Sequence, residues 1–384
     1  METFFPWRAG NRFELLVDGH QFFPAMLEGI QSAKQEVLLE LYLVEEGRCS
    51  QLLVEALCLA ARRGVTVRCL FDGFGARALS KAARRRLEQA GVMLRLYNPL
   101  HWRQGFANLR RDHRKLLLID RKTAFIGGTG ATDNFWQPGE AQSLCHELMV
   151  RCIGAITLDF YRLFEQQWSP PARPWRQIFW GATRRSRLPA PPAISQGMGR
   201  LAWSDAVTHR ELVQSLLRHI HHARQRIWLA TPYFLPSWKV RRALRKAAQR
   251  GVDVQLLLAS NNIDHGPVRY ASHRYYPSLL RAGVRIHEYS PRFLHLKLVL
   301  ADGWISVGSC NFDHWNLRFN LEANLEAQDE ALTRACATCL QQGMADGQEI
   351  TLEHWQQRPL YRRLLERLWG LIDQLILNLL DKRD

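Results

Sequence analysis

The chain has 384 residues, 47% of them apolar and 23% charged, which excludes a disordered polypeptide and leaves room for two domains of ordinary size. Fifty-two Lys and Arg against 36 Asp and Glu give a formal charge of +16, so the surface gathers polyanions, whether nucleic acid or anionic lipid. No run is as long as the roughly 18 apolar residues that a spanning helix needs, and a lipid substrate would have to be met at the membrane surface.

The start, METFFPWRAGNRF, lacks a charged end followed by an apolar run, and neither signal peptide nor anchor is expected there. Phe13–Val17 reads as a strand and Phe22–Ala33 as a helix. VLLELYLV, residues 37–44, reads as a buried strand. Residues 50–63 carry helical spacing that stops at Gly64, and 65–71 is a strand. Residues 78–89 form a basic helix ended by Gly91, and 92–97 is a strand. Alternation at this density indicates an α/β sandwich with a mixed sheet.

Asn98–Arg111, NPLHWRQGFANLRR, mixes Trp102 and Phe106 with Arg103, Arg110 and Arg111. Such a loop suits a lipid headgroup and its glycerol, and equally a solvated basic edge. Directly after it comes DHRKLLLIDRKTAFIGGTGATDN, residues 112–134. His113 and Lys115 stand two apart, so on a strand they share one face. Asp120 follows, then Gly127 and Gly128.

Residues 169–200 carry six prolines and several arginines and read as a linker. Trp175, Ile178, Phe179 and Trp180 within it would dock on the body or touch lipid.

The second half repeats the first. Helices are expected at 212–223, 240–249 and 276–282, and strands at 226–231, 252–258 and 284–289. AARRGVTV matches KAAQRGVDV, and EQAGVMLRLYNP matches LRAGVRIHEYSP, the mark of an internal duplication. LHLKLVLADGWISVGSCNFDHWNLRFNLEANLE, residues 294–326, then gives a second His-x-Lys-x-x-x-x-Asp in His295, Lys297 and Asp302. Leu294, Leu296 and Leu298 are expected to face the core. The motif histidines lie 295 − 113 = 182 apart.

From Pro359 to Asp384, leucines, isoleucines and Trp369 recur at helical spacing behind a cluster of arginines. An interfacial amphipathic helix is expected there. The expected domains are 1–168, a linker at 169–200, 201–350, and the helix at 351–384. The eight scattered cysteines (Cys49, Cys58, Cys69, Cys145, Cys152, Cys310, Cys336, Cys339) are expected as reduced thiols of a cytoplasmic chain.

Two His-Lys-Asp motifs in one chain resemble the phospholipase D superfamily. FNLEANLE and GSCNFD look most like the bacterial cardiolipin synthases of the B type, over roughly residues 7–350. The resemblance implies a duplicated α-β-α sandwich whose two mixed-sheet halves are related by a pseudo-two-fold axis. It implies His113 as the nucleophile, forming a phosphohistidine, and His295 as the acid and base. Lys115 and Lys297, helped by Ser309 and Asn311, would hold phosphoryl oxygens. Glu147 and Glu322 would orient the histidines, while Asp120 and Asp302 organise turns. Gly130 stands where the family has Asn or Ser; either Thr129 or Asn134 substitutes, or one oxygen contact is absent.

Two imidazoles and two ammonium groups meet the needs of phosphodiester exchange without a metal or other cofactor. The activity expected is transfer of a phosphatidyl group from phosphatidylglycerol, or phosphatidylethanolamine, to phosphatidylglycerol. The partners are anionic phospholipids and the cytoplasmic face of a bacterial inner membrane, met peripherally, with no nucleic acid. A phospholipase D-type hydrolase or nuclease is the alternative, and a catalytically silent lipid-binding scaffold a third reading.

Overall fold

The computed structural model describes residues 4–140, 142–169, 188, 197–205, 211–260, 266–311, 313, 316–359 and 369–370. Most of the linker, and most of the C-terminal helix expected at 351–384, lie outside them. Among the described residues no helix is long and apolar enough to cross a membrane.

The chain packs as two compact units. One comprises Met1–Ser215, Gly303–Cys310 and Trp315–Ala335; the other comprises Leu216–Asp302, Asn311–His314 and Cys336–Asp384. The strands of the second repeat are therefore divided between the units.

The first repeat builds a seven-stranded sheet from Arg12–Val17 (β1), Glu36–Leu41 (β2), Thr66–Asp72 (β3), Met93–Tyr97 (β4), Leu116–Ile119 (β5), Thr123–Gly127 (β6) and Leu148–Ile153 (β7). Its order is β1-β7-β6-β5-β2-β3-β4. β2, β3 and β4 run parallel, joined through the helices Arg48–Arg62 and Lys81–Gln89, as parallel neighbours require. β5, β6 and β7 are antiparallel. All six residues of β2 are buried, Glu36 and Glu40 along with its valine and leucines. The basic helix expected from residue 78 begins at Lys81, because Ser80 accepts from Ala83 N at 3.1 Å and caps it.

The second repeat supplies Met198–Ser204 (β8), Arg226–Thr231 (β9), Asp253–Ala259 (β10), Arg285–Tyr289 (β11), Leu298–Ala301 (β12), Trp304–Gly308 (β13), Asn320–Gln328 (β14) and Gly347–Ile350 (β15). In the first unit β14 pairs antiparallel with β8 and β13, as β7 does with β1 and β6. In the second unit β9 lies between antiparallel β12 and parallel β10, followed by β11 and β15. The duplication read from the sequence is thus a duplication of strand order.

One expectation needs correction. His113 and Lys115 do not lie within a continuous strand, nor do His295 and Lys297. Each motif falls in a gap, between Arg111–Asp112 and β5, and between Phe293–Leu294 and β12. The reason is local. Each lysine ammonium donates to the carbonyl of the histidine two residues before it, so that carbonyl is taken by a side chain. Leu294, Leu296 and Leu298 do face the core, with no exposed surface. All eight cysteines are thiols, and all but Cys339 are buried.

Candidate active site

The first histidine is fixed from both ends. Arg111–Asp112 pairs in parallel with Asn320 and Leu321 at the start of β14, and His113 N donates to Leu321 O at 3.0 Å. One residue further along β14, Glu322 brings its carboxylate to His113 Nδ1, at 3.0 and 3.2 Å. Glu322 is fully buried. Ser309 Oγ donates to one of its oxygens, and Ala323 N donates to Ser309 Oγ at 3.0 Å. Nδ1–H directed at a carboxylate leaves the imidazole lone pair on Nε2, the tautomer a nucleophile or base requires. The Tyr42 ring meets the imidazole at 4.9 Å, 64° between planes, and lies 5.3 Å from Lys115 Nζ.

Two sequence expectations change here. Glu322 lies downstream of the second motif yet holds the histidine of the first. Ser309, expected on phosphoryl oxygen, is buried and committed to Glu322. Glu147 is also buried; its carboxylate accepts from Leu148 N at 2.9 Å.

In the second unit Lys297 is buried, with Nζ 2.8 Å from His295 Nδ1 and 3.1 Å from Nε2. The Phe293 ring lies 5.5 Å from the imidazole.

The two motif aspartates play one role twice. Asp120 accepts from Lys34 N, Gln35 N and Glu36 N at 2.9, 2.7 and 2.9 Å. Asp302 accepts from Arg224 N, Gln225 N and Arg226 N at 2.9, 2.9 and 3.0 Å. Each tethers the entry of the neighbouring strand, β2 or β9, and each holds a φ of 51°. Partial burial pushes the Asp120 carboxyl up, but the three N–H donors prevail and hold it below the usual range. A carboxylate with a depressed folded pKa stabilises the fold above its unfolded pKa, and this is lost as pH falls through the folded value. Asp120→Asn is therefore expected to lower stability by ~1–2 kcal/mol at neutral pH. The gap to wild type should close below about pH 4; urea unfolding at pH 7 and pH 3 checks this, and a gap constant with pH contradicts it.

The family model described as "Cardiolipin synthase, PLD-like domain" matches residues 26–168 and 216–343. The chain belongs to this family. It is 34% identical over 342 residues to cardiolipin synthase B of Salmonella typhi, covering 87% of this chain and 81% of that protein. It is 31% identical over 376 residues to cardiolipin synthase A of Pseudomonas fluorescens SBW25, covering 97% and 76%. Among solved structures, the phosphatidylserine synthase of Haemophilus influenzae Rd KW20 shares the fold, with TM-score 0.72 over 99% of this chain and 97% of that one at 15% identity.

Where this member of the cardiolipin synthase family departs from the motif pattern, the cause is packing. A Cβ on Gly130 would lie 2.8 Å from Leu43 Cβ and 2.9 Å from Leu43 O, so no asparagine fits. Thr129 is buried and its hydroxyl donates to Gly130 O at 3.1 Å; Asn134 N donates to Thr132 Oγ1 at 3.3 Å. In the second repeat Asn311 is buried, and its main-chain oxygen accepts from Thr231 Oγ1 at 2.9 Å. Its side-chain oxygen has no hydrogen-bond partner among the described residues, an unmet polar group of the kind a ligand satisfies. Among the described residues no three His, Cys, Asp or Glu side chains converge as metal ligands would.

Sequence reasoning missed the polar block beneath the first motif. Glu40, Asp112 and Arg114 are all buried. Arg114 lies 2.6 Å from Glu40 Oε1 and donates through Nε to Asp112 Oδ1 at 3.2 Å. Burial lifts the Glu40 carboxyl well above the usual range against the pull of Arg114, and Asp112 lifts it further. Asp72, raised by burial, accepts from Arg111 Nη1 at 3.2 Å and Asp112 N at 2.9 Å. These groups pin the backbone immediately before His113.

Proposed function

We propose that this chain is a cardiolipin synthase that moves a phosphatidyl group between phosphatidylglycerol molecules. The observation that carries the reading is the His113 imidazole held at Nδ1 by buried Glu322, within a duplicated His-x-Lys motif. His113 Nε2 attacks phosphorus; the bond from phosphorus to the headgroup glycerol oxygen breaks, and His295 gives that oxygen a proton. The glycerol hydroxyl of a second phosphatidylglycerol then attacks the phosphohistidine. Its proton passes to His295, the P–N bond breaks, and cardiolipin leaves. Lys115 and Lys297 offset charge on the phosphoryl oxygens, and the Asn311 amide, turned over, offers N–H to one of them. The covalent intermediate lets the second substrate be selected: a lipid hydroxyl gives transfer, water gives hydrolysis. The substrates place the protein at the bilayer surface, and the proposed location is peripheral, on the cytoplasmic face.

Purified protein incubated with phosphatidylglycerol vesicles should yield cardiolipin and glycerol in equal amounts. Adding phosphatidylethanolamine tests the alternative donor through release of ethanolamine. Phosphatidic acid as the main product would replace this reading with a hydrolase. Cleaved plasmid DNA beside unchanged lipid would replace it with a nuclease.

A further inference from the structure

The loop leading into the first motif holds apolar side chains in water on a braced frame. Every residue from Pro99 to Arg110 whose side chain is described is exposed, apart from half-buried Asn108. Leu100, Trp102 and Leu109 keep 54%, 81% and 45% of their surface in solvent. Single exposed apolar residues are ordinary on soluble proteins; three on one loop mark a binding surface.

The frame explains why they stay out. At the tip, Asn108 donates to His101 O at 2.8 Å and accepts from His101 N at 3.0 Å. At the neck, Asn98 adopts a φ of 41° and donates to Ala107 O and Arg110 O, both at 2.8 Å. Arg111 donates to Asn98 O at 2.9 Å and to Asp72 at 3.2 Å, fastening the neck to the end of β3. Between neck and tip, Gly105 takes a φ of 48° and separates two 3₁₀ turns. Trp102 stacks on His101 with centroids 6.2 Å apart, and the Arg103 guanidinium lies 4.8 Å from its ring centre. A loop already ordered loses little entropy on binding. Its occupant must accept a tryptophan and two leucines flanked by Arg103 and Arg110, on a chain of charge +16. An anionic bilayer interface has that chemistry: Trp settles at headgroup depth while Arg meets lipid phosphates.

We propose that residues 99–110 are a membrane wedge that enters the headgroup layer of an anionic bilayer. The wedge sets the depth at which His113, just beyond Arg110, meets lipid phosphate. This deepens the lipid-transfer reading and rests on it, and it assigns a membrane contact apart from the C-terminal segment.

The test uses the full chain and the triple variant Leu100→Ser/Trp102→Ala/Leu109→Ser. Partitioning is measured on vesicles of phosphatidylcholine with and without phosphatidylglycerol. Turnover is measured on those vesicles and on dihexanoyl phosphatidylglycerol kept below its micellar concentration. The variant is expected to partition about 100-fold more weakly onto anionic vesicles, at roughly tenfold for each of the two largest contacts. It should turn over monomeric lipid within about twofold of wild type, which also shows that it folds. Unchanged partitioning overturns the wedge. Equal loss of turnover on monomeric lipid overturns it in favour of a substrate subsite, and loss of duplex DNA binding overturns it in favour of a nucleic-acid surface. If wild type binds anionic vesicles through this loop yet makes no cardiolipin from either lipid form, the wedge stands and the lipid-transfer reading fails.

Discussion

Replacing His113 with alanine is expected to lower cardiolipin formation by about 10⁴-fold or more, since on the proposed mechanism it removes the nucleophile and so the covalent route. His295→Ala should lose about 10²–10⁴-fold, the usual contribution of a proton donor. The sharper experiment is Glu322→Gln, in which the Ser309 hydroxyl favours the amide oxygen at its own side over the longer 3.5 Å bond that Asn320 Nδ2 gives to the other oxygen. Ser309 Oγ donates to one oxygen of Glu322, so that position keeps an acceptor, the amide oxygen. The NH₂ then faces His113 Nδ1, where a carboxylate oxygen stood at 3.0 Å. A donor facing Nδ1 forces the proton onto Nε2 and removes the lone pair that attacks phosphorus. A loss of about 10²–10⁴-fold in kcat is expected with little change in KM. A variant designed to free that position, Glu322→Gln with Ser309→Ala, lets the amide turn over and should recover part of the loss. Both rates are read on phosphatidylglycerol vesicles, with thermal unfolding to confirm the fold. A single variant with near wild-type kcat would mean that the carboxylate does not set the tautomer.

Most of the architecture was legible because the local signals agree with one another. Glycines at 64, 91, 251 and 283 close helices at matching places in both repeats, each with a φ near 90°, and a strand follows each of them. Spacing picked out the two His-x-Lys pairs, though it set them on strands that they do not occupy. What escaped depends on neighbours distant in the chain. Glu322 and His113 are 209 residues apart, and no spacing rule says which of two equivalent histidines a carboxylate will reach. The resemblance implied Ser309 as a phosphate ligand, yet its hydroxyl is drawn to the buried charge of Glu322. Glu40 sat unnoticed inside VLLELYLV, where one carboxyl among apolar neighbours resembles an ordinary strand residue. Its meaning depends on Arg114, a distant residue whose guanidinium reaches it.

That buried block supports the second large prediction. Glu40 pairs in register with Leu116 and Ala230 with Leu298; since 298 − 116 = 182 matches the histidine offset, Ala230 is the counterpart of Glu40. Asp112 and Arg114 correspond in the same way to Leu294 and Leu296. The second repeat thus solves with three apolar side chains what the first solves with charges. Arg114→Leu should cost ~3–5 kcal/mol, because it strands the buried Asp112 and Glu40 without their cation. The triple variant Glu40→Ala/Asp112→Leu/Arg114→Leu copies the second repeat, and it should recover most of that loss, since apolar replacement of a whole buried ion cluster is often neutral. Urea unfolding of the full chain, followed by a probe in the first unit, distinguishes the cases. A single variant as stable as wild type would show that the charges are not coupled, and a triple variant as weak as the single one would show that the repeats do not exchange their packing. Turnover then separates stability from position. If the charges serve only to fill space, the triple variant should keep the wild-type rate. If they hold Asp112 and the backbone before His113 in place, kcat should fall while stability returns, as expected for a group that acts through the histidine it precedes.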